Sequence, residues 1–200
     1  MNDKYKTIDA PSTGIYKEKG SKFLSFACPV FAENEIKLII AQIKKEYFDA
    51  RHHCYAYRLG IDGETFRSND DGEPSGTAGR PIYGQLLSFD VTNVLIVVVR
   101  YFGGTKLGTS GLINAYKTAA ADALKNAKIT ERTEQQIISF RFCYNAMNDI
   151  MKLAKDEKIE IIEQITELDC RMKIKIDKSK TAIILGKLLK IESVTVQNDL

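Results

Sequence analysis

The chain has no tryptophan, only two histidines, His52 and His53, and four cysteines that are never paired as C-x-x-C. Zinc fingers and thioredoxin-like redox motifs therefore lack their signature, and Cys28, Cys54, Cys143 and Cys170 read as free thiols. The two histidines are adjacent, so on a strand they point to opposite faces and do not share a mononuclear site; no metal and no cofactor is expected. Long apolar runs are missing too. The longest is the six residues Val94 to Val99, and the amino terminus MNDKYK is polar, so the reading predicts neither a signal peptide nor a membrane span and a cytoplasmic location. A strong excess of one charge is also lacking. With 29 basic and 26 acidic residues the net charge is +3, carried by residues 1–133, while residues 134–200 hold 11 of each sign. Affinity for a polyanion then has to come from a local patch.

What is present is a soluble-domain composition, 44% apolar and 28% charged over 200 residues, enough for one ordinary core or two small ones. The most informative stretch is VLIVVVRYFGGTKLGTSGLINAYKTAAADALKNA, Val94 to Ala127. A buried strand passes through a glycine-rich turn into a helix whose Leu112, Tyr116, Ala119, Ala120, Ala123, Leu124 and Ala127 share one face. Thr109 or Ser110 is expected to cap that helix, with Lys106 just ahead. Backbone amides, the positive end of a helix dipole and an ammonium so gathered suit an anion; alternatively the glycines only make a tight connection. Gly103-x4-Gly108 is followed by Thr109-Ser110 where a nucleotide P-loop needs lysine, which excludes a Walker-type ATPase.

A second unusual segment, Arg67 to Pro81, mixes turn formers with Asp70, Asp71, Glu73 and Arg80, and no strand or ordinary helix is expected through it. Such segments in a compact domain are commonly functional. Elsewhere the pattern predicts a strand over 23–31, a helix burying Ile36, Ile39, Ile40, Ile43 and Tyr47, a strand around Tyr55, a turn at Asp62-Gly63, a short helix near 82–87, and a solvated hairpin edge carrying Lys17, Lys19 and Lys22. The polar run Thr130 to Gln136 reads as a boundary, giving domains 1–131 and 136–200. In the second, a strand with Ile138, Phe140, Phe142 and Tyr144, a helix with Met147, Ile150 and Met151, strands over 159–165 and 168–176, a helix capped by Ser179 and a last strand near 194–196 give a ferredoxin-like β-α-β-β-α-β order. Leu168, Cys170, Met172, Ile174 and Ile176 alternate there with Arg171, Lys173 and Lys175.

Three blocks, RHHCYAYRLG from Arg51, DDGEPSGTAGRPI from Asp70 and RYFGGTKLGTSGLINAY from Arg100, recur in the order found in the IMPACT/YigZ family, which the chain resembles along essentially its whole length. The resemblance implies an α+β protein. Its first domain would share the fold of a small-subunit ribosomal protein's second domain and of elongation factor G domain IV, and its ferredoxin-like second domain would resemble domain V of that factor. Eukaryotic members carry an additional RWD module, absent here, and look like regulators of a starvation-responsive initiation-factor kinase pathway that compete for an activator protein.

These readings converge on a non-enzymatic, translation-related binding protein, with RNA or the ribosome as partner, or a protein of the translation machinery. The expected binding set is Arg51, His53, Asp70, Asp71, Glu73, Arg80, Lys106, Gly108, Thr109, Ser110 and Gly111, with no catalytic residue assigned. Two alternatives stay open: an enzyme acting on a phosphorylated or peptide substrate, with Asp70, Asp71 and Glu73 as base or Mg2+ ligands, and a protein-binding scaffold without RNA.

Overall fold

The computed structural model describes residues 3–167 and 169–197. The chain forms two compact units, one of Tyr5–Arg132 and one of Thr133–Leu200 joined by Met1–Lys4. Both are α+β, built on antiparallel sheets.

In the larger unit the apolar run becomes the middle strand. β6 (Val94–Tyr101) lies between β3 (Ser21–Pro29) and β4 (His52–Leu59), with β2 (Ser12–Glu18) and β5 (Thr65–Asn69) at the edges. Such an uninterrupted apolar strand needs cover on both faces. Val94, Ile96 and Val98 pack with residues of α2 (Gly79–Ser88) and α3 (Gly108–Asn126), whereas Leu95, Val97 and Val99 pack with Ile36 and Ile43 of α1 (Glu33–Glu46). Small side chains let α3 come very close to the sheet. A Cβ added at Gly14 of β2 would stand 2.4 Å from the Ala123 amide nitrogen, and the Ser12 and Ser25 hydroxyls donate to the Ala123 and Ala119 carbonyls at 2.8 and 2.6 Å.

The β2–β3 hairpin closes on Lys19 and Gly20, both at positive φ, and exposes Lys17, Lys19 and Lys22. A two-stranded ribbon of β1 (Lys4–Ile8) and β7 (Ile129–Thr133) completes this part of the fold. The polar run Thr130 to Gln136, within which the two units divide, is mostly strand: β7 is followed at once by β8 (Gln135–Phe142). The long irregular segment is likewise shorter than expected, because β5 and α2 occupy its two ends.

The second unit has the order β8, α4 (Met147–Asp156), β9 (Glu160–Ile165), β10 (Cys170–Asp177), α5 (Thr181–Leu188) and β11 (Thr195–Gln197), with the strands arranged β11-β8-β10-β9. Ile138, Phe140, Phe142, Met172, Ile174 and Ile176 bury one face of the sheet against Ile150, Ile184 and Leu188. Leu168 lies outside the described residues. Tyr144 is not on the strand but in a 3-10 turn, Tyr144–Ala146, and is exposed. Ser179 does not cap α5: it sits in the 3-10 turn Lys178–Lys180, and its backbone amide donates to the Asp3 carboxylate at 3.3 Å.

Candidate functional site

The irregular loop between β5 and α2 is organised by its own carboxylates. One oxygen of Asp70 accepts from the amides of Ala78 and Gly79 at 3.0 and 2.8 Å, and the other from Gly76 at 2.8 Å. Asp70 thus caps α2 from across the loop, a role the bare Ala78 side chain cannot fill. Asp71, held at φ 41°, reaches outward: its carboxylate accepts from the Lys44 ammonium at 2.9 Å and from the His53 amide at 2.7 Å. Burial by itself would raise the Asp71 pKa, but Lys44 and the His53 amide outweigh it and hold the carboxyl below its ordinary value.

Glu73 turns the other way, into the core. Its Oε1 accepts from Arg100 Nη1 at 2.6 Å and from the Tyr116 hydroxyl at 2.8 Å, and all three side chains are buried. The Arg100 guanidinium stands 5.5 Å from the Phe23 ring centre and 5.6 Å from that of Phe102, and its Nε has no hydrogen-bond partner among the described residues. The Cys54 sulfur lies between the Asp70 carbonyl at 3.0 Å and the Tyr116 hydroxyl at 3.3 Å. Burial drives the Cys54 thiol and the Tyr116 phenol far above their usual values, with Cys54 and Glu73 adding to the effect on Tyr116. Neither ionises near neutrality, so neither is a nucleophile there. The cluster ties the loop to β6 through Glu73–Arg100, to α3 through Glu73–Tyr116 and to β4 through Asp70–Cys54.

The two histidines separate as adjacent strand residues must. His52 Nδ1 lies 2.8 Å from the Asp71 carbonyl, which can only accept, so Nδ1 carries a proton and Nε2 faces Glu73 Oε1 at 4.0 Å. His53 is buried on the α1 side, where its Nε2 donates to the Tyr47 carbonyl at 3.0 Å. The member of the pair that meets the Glu73 cluster is therefore His52, not the His53 expected from the sequence.

The glycine-rich turn after β6 is pressed against the β2–β3 hairpin. A Cβ at Gly103 would lie 1.9 Å from the Gly20 carbonyl carbon, and the Gly103 amide donates to Ser21 Oγ at 3.2 Å. Gly108, at φ 73°, then opens α3. Contrary to expectation, neither Thr109 nor Ser110 caps the helix: the N-cap is Leu107, among the described residues no side chain bonds the first amides, and the first turn holds no acid. Thr109 and Ser110 are exposed within that turn beside the partly covered Gly111, and Lys106 is exposed just before it. Arg80 is exposed in the first turn of α2, and Arg51 is exposed immediately before β4.

The structure therefore brings Asp70, Asp71 and Glu73 into one loop with distinct tasks and sets Lys106, Gly108, Thr109, Ser110 and Gly111 together at the start of α3. Sequence reasoning missed Arg100, Tyr116, His52 and Cys54 as members of the cluster. A signal existed for Arg100: an arginine ending an apolar central strand needs a buried partner. Among the described residues no group of three His, Cys, Asp or Glu is placed to hold a metal, and no helix is long and apolar enough to cross a membrane.

Residues 19–124, which carry both loops and the buried cluster, match the family model described as the Impact N-terminal domain. The chain belongs to the IMPACT family. IMPACT family member YigZ of Escherichia coli is 31% identical over 181 residues, covering 90% of this chain and 89% of that protein. IMPACT family member YvyE of Bacillus subtilis is 40% identical over 139 residues, 69% of this chain and 64% of that protein. A crystal structure described only as that of a hypothetical protein superposes with a TM-score of 0.74 at 28% identity, covering 98% of this chain and 97% of that one. The IMPACT likeness therefore extends through both units.

Proposed function

We propose that this IMPACT protein is a non-catalytic, translation-related regulator that binds RNA or the ribosome through the amino-terminal end of α3 with Lys106, and through Arg80 at the start of α2. The carrying observation is the bare start of a 19-residue helix, uncapped and free of acid in its first turn, with exposed Lys106 just ahead of it. Unsatisfied amides, helix dipole and ammonium act together on a phosphate oxygen. Arg80 adds a guanidinium at the start of α2, and Thr109 and Ser110 add hydroxyl donors.

The same chemistry weighs against an enzyme. Asp70 is occupied by three backbone amides, Asp71 by Lys44 and the His53 amide, and Glu73 by Arg100 and Tyr116. Each carboxylate that could serve as a base or hold Mg2+ has a structural task. In this reading the two units correspond to folds like domains IV and V of elongation factor G, as the family resemblance implies, and the protein works in the cytoplasm.

The test is binding of purified ribosomal RNA over a salt series. Arg80→Ala/Lys106→Ala weakens binding and flattens the log–log salt slope by about 0.7 to 0.9 per lost phosphate contact. Unchanged affinity and slope would remove the site assignment.

A further inference from the structure

The open face of the C-terminal sheet carries an arrangement that sheets normally avoid. Along β8 and β10 the outward residues stand in register: Arg141 opposite Arg171, Ser139 opposite Lys173, Ile137 opposite Lys175. β11 and β9 extend the first row to Thr195 and Ile165. Two like charges directly across a ladder repel and destabilise it. The neighbouring lysines escape this cost, because Lys173 pairs with Glu163 at 2.8 Å and Lys175 with Glu160 at 3.7 Å. Among the described residues no carboxylate pairs with Arg141 or Arg171, and both are exposed.

Arg141 is nevertheless held in place. With the Gln197 amide turned carbonyl-first, its oxygen accepts from Arg141 Nε at 2.8 Å and Nη2 at 3.1 Å. A neutral acceptor orients the guanidinium without cancelling its charge. Beside it opens a shallow cavity of about 240 Å³, lined by Ser139, Ile165, Arg171, Gln197 and the ion-paired Glu163 and Lys173 over Phe140 and Met172.

We propose that Arg141 and Arg171 form a binding site for the phosphodiester backbone of RNA. The proposal rests on the reading that the target is RNA or the ribosome, and adds a second contact surface in the other unit. Guanidinium forks match phosphate oxygens, and successive phosphates of one strand supply an anion to each arginine where a lone carboxylate would satisfy only one. The paired strands place no aromatic side chain on this face, so it offers no stacking platform, and the contact is to the backbone and independent of sequence.

The experiment uses the full chain and a fluorescein-labelled single-stranded oligouridylate, titrated by anisotropy over a salt series, with poly-glutamate as competitor. The wild type binds with a salt-dependent affinity, and Arg141→Ala/Arg171→Ala weakens it and removes about 1.4 from the slope, two contacts at about 0.7 each. Arg171→Glu loses binding in the same way while keeping or raising the melting temperature, because it turns a repelling pair into an attracting one. Unchanged affinity and slope in both variants, or poly-glutamate competing as well as RNA at matched charge, would overturn the site. So would a wild type that pellets with ribosomes but ignores the oligouridylate. A wild type that does neither would take the underlying RNA reading down as well.

Discussion

Glu73 is the residue on which the buried cluster depends. Glu73→Gln keeps an acceptor for Tyr116 but leaves the buried Arg100 cation uncompensated, which costs about 3–5 kcal/mol and is read as a shift of the urea midpoint at unchanged m-value. Replacing both partners, Glu73→Met/Arg100→Met, recovers most of that loss; a double variant as unstable as the single one would mean that the pair does more than compensate its own charges. Asp71 gives a pH signature. Its pKa is depressed in the folded state, so its contribution is complete above the ordinary carboxylate range and disappears as pH falls through the folded value. The gap between wild-type and Asp71→Asn stability should therefore begin to narrow near the ordinary carboxylate value of about 4 and close only below the depressed folded value, and a constant gap between them would contradict the assignment. Thiol accessibility offers a third check. Cys143 is exposed and should react with Ellman's reagent in the native protein, whereas buried Cys54 and Cys170 should wait for denaturant. At this scale the sequence showed part of the answer. The opposite facing of His52 and His53 follows from strand geometry, but which of them meets Glu73 depends on which face α2 and α3 cover. Glu73, Arg100 and Tyr116 are far apart along the chain, and no local pattern links them.

At the scale of elements, the long periodic signals were the legible ones. The apolar strand β6, the alanine stripe of α3 and the alternation of β10 were readable because burial dictates their spacing. Short polar strands were not: β7 reads ITERT and is strand only because β1 pairs with it. The expected cap at Thr109 or Ser110 failed for a related reason. The helix is capped at Leu107, two or three residues earlier than expected, and starts on Gly108 at positive φ, which moves both hydroxyls into the first turn. Two glycines contrast usefully here. A Cβ at Gly103 collides with the Gly20–Ser21 backbone, so Gly103→Ala should push the turn off the hairpin, lowering both stability and anion binding. Gly84 lies inside α2 with nothing within 4 Å of an added Cβ, so Gly84→Ala should stabilise by about 0.5–1 kcal/mol. Thermal melts of the two variants should move in opposite directions.

At the scale of the whole molecule, each unit presents cations that no carboxylate pairs with among the described residues. Arg80 and Lys106 stand at helix starts in the first, and Arg141 and Arg171 stand across a sheet in the second. Net charge is only +3 and would not reveal this, because the remaining charges are largely balanced and several are paired across the surface. The family blocks were the strongest whole-chain signal in the sequence, and membership in the IMPACT family is where that signal leads. The most direct test of the central claim is co-sedimentation of the full chain with ribosomes over a salt series, beside the Arg80→Ala/Lys106→Ala variant. Wild-type protein that pellets near physiological salt, with loss of that binding in the variant, is the predicted result. Wild-type protein that stays in the supernatant at every salt concentration, or a variant that pellets as well as the wild type, would contradict it.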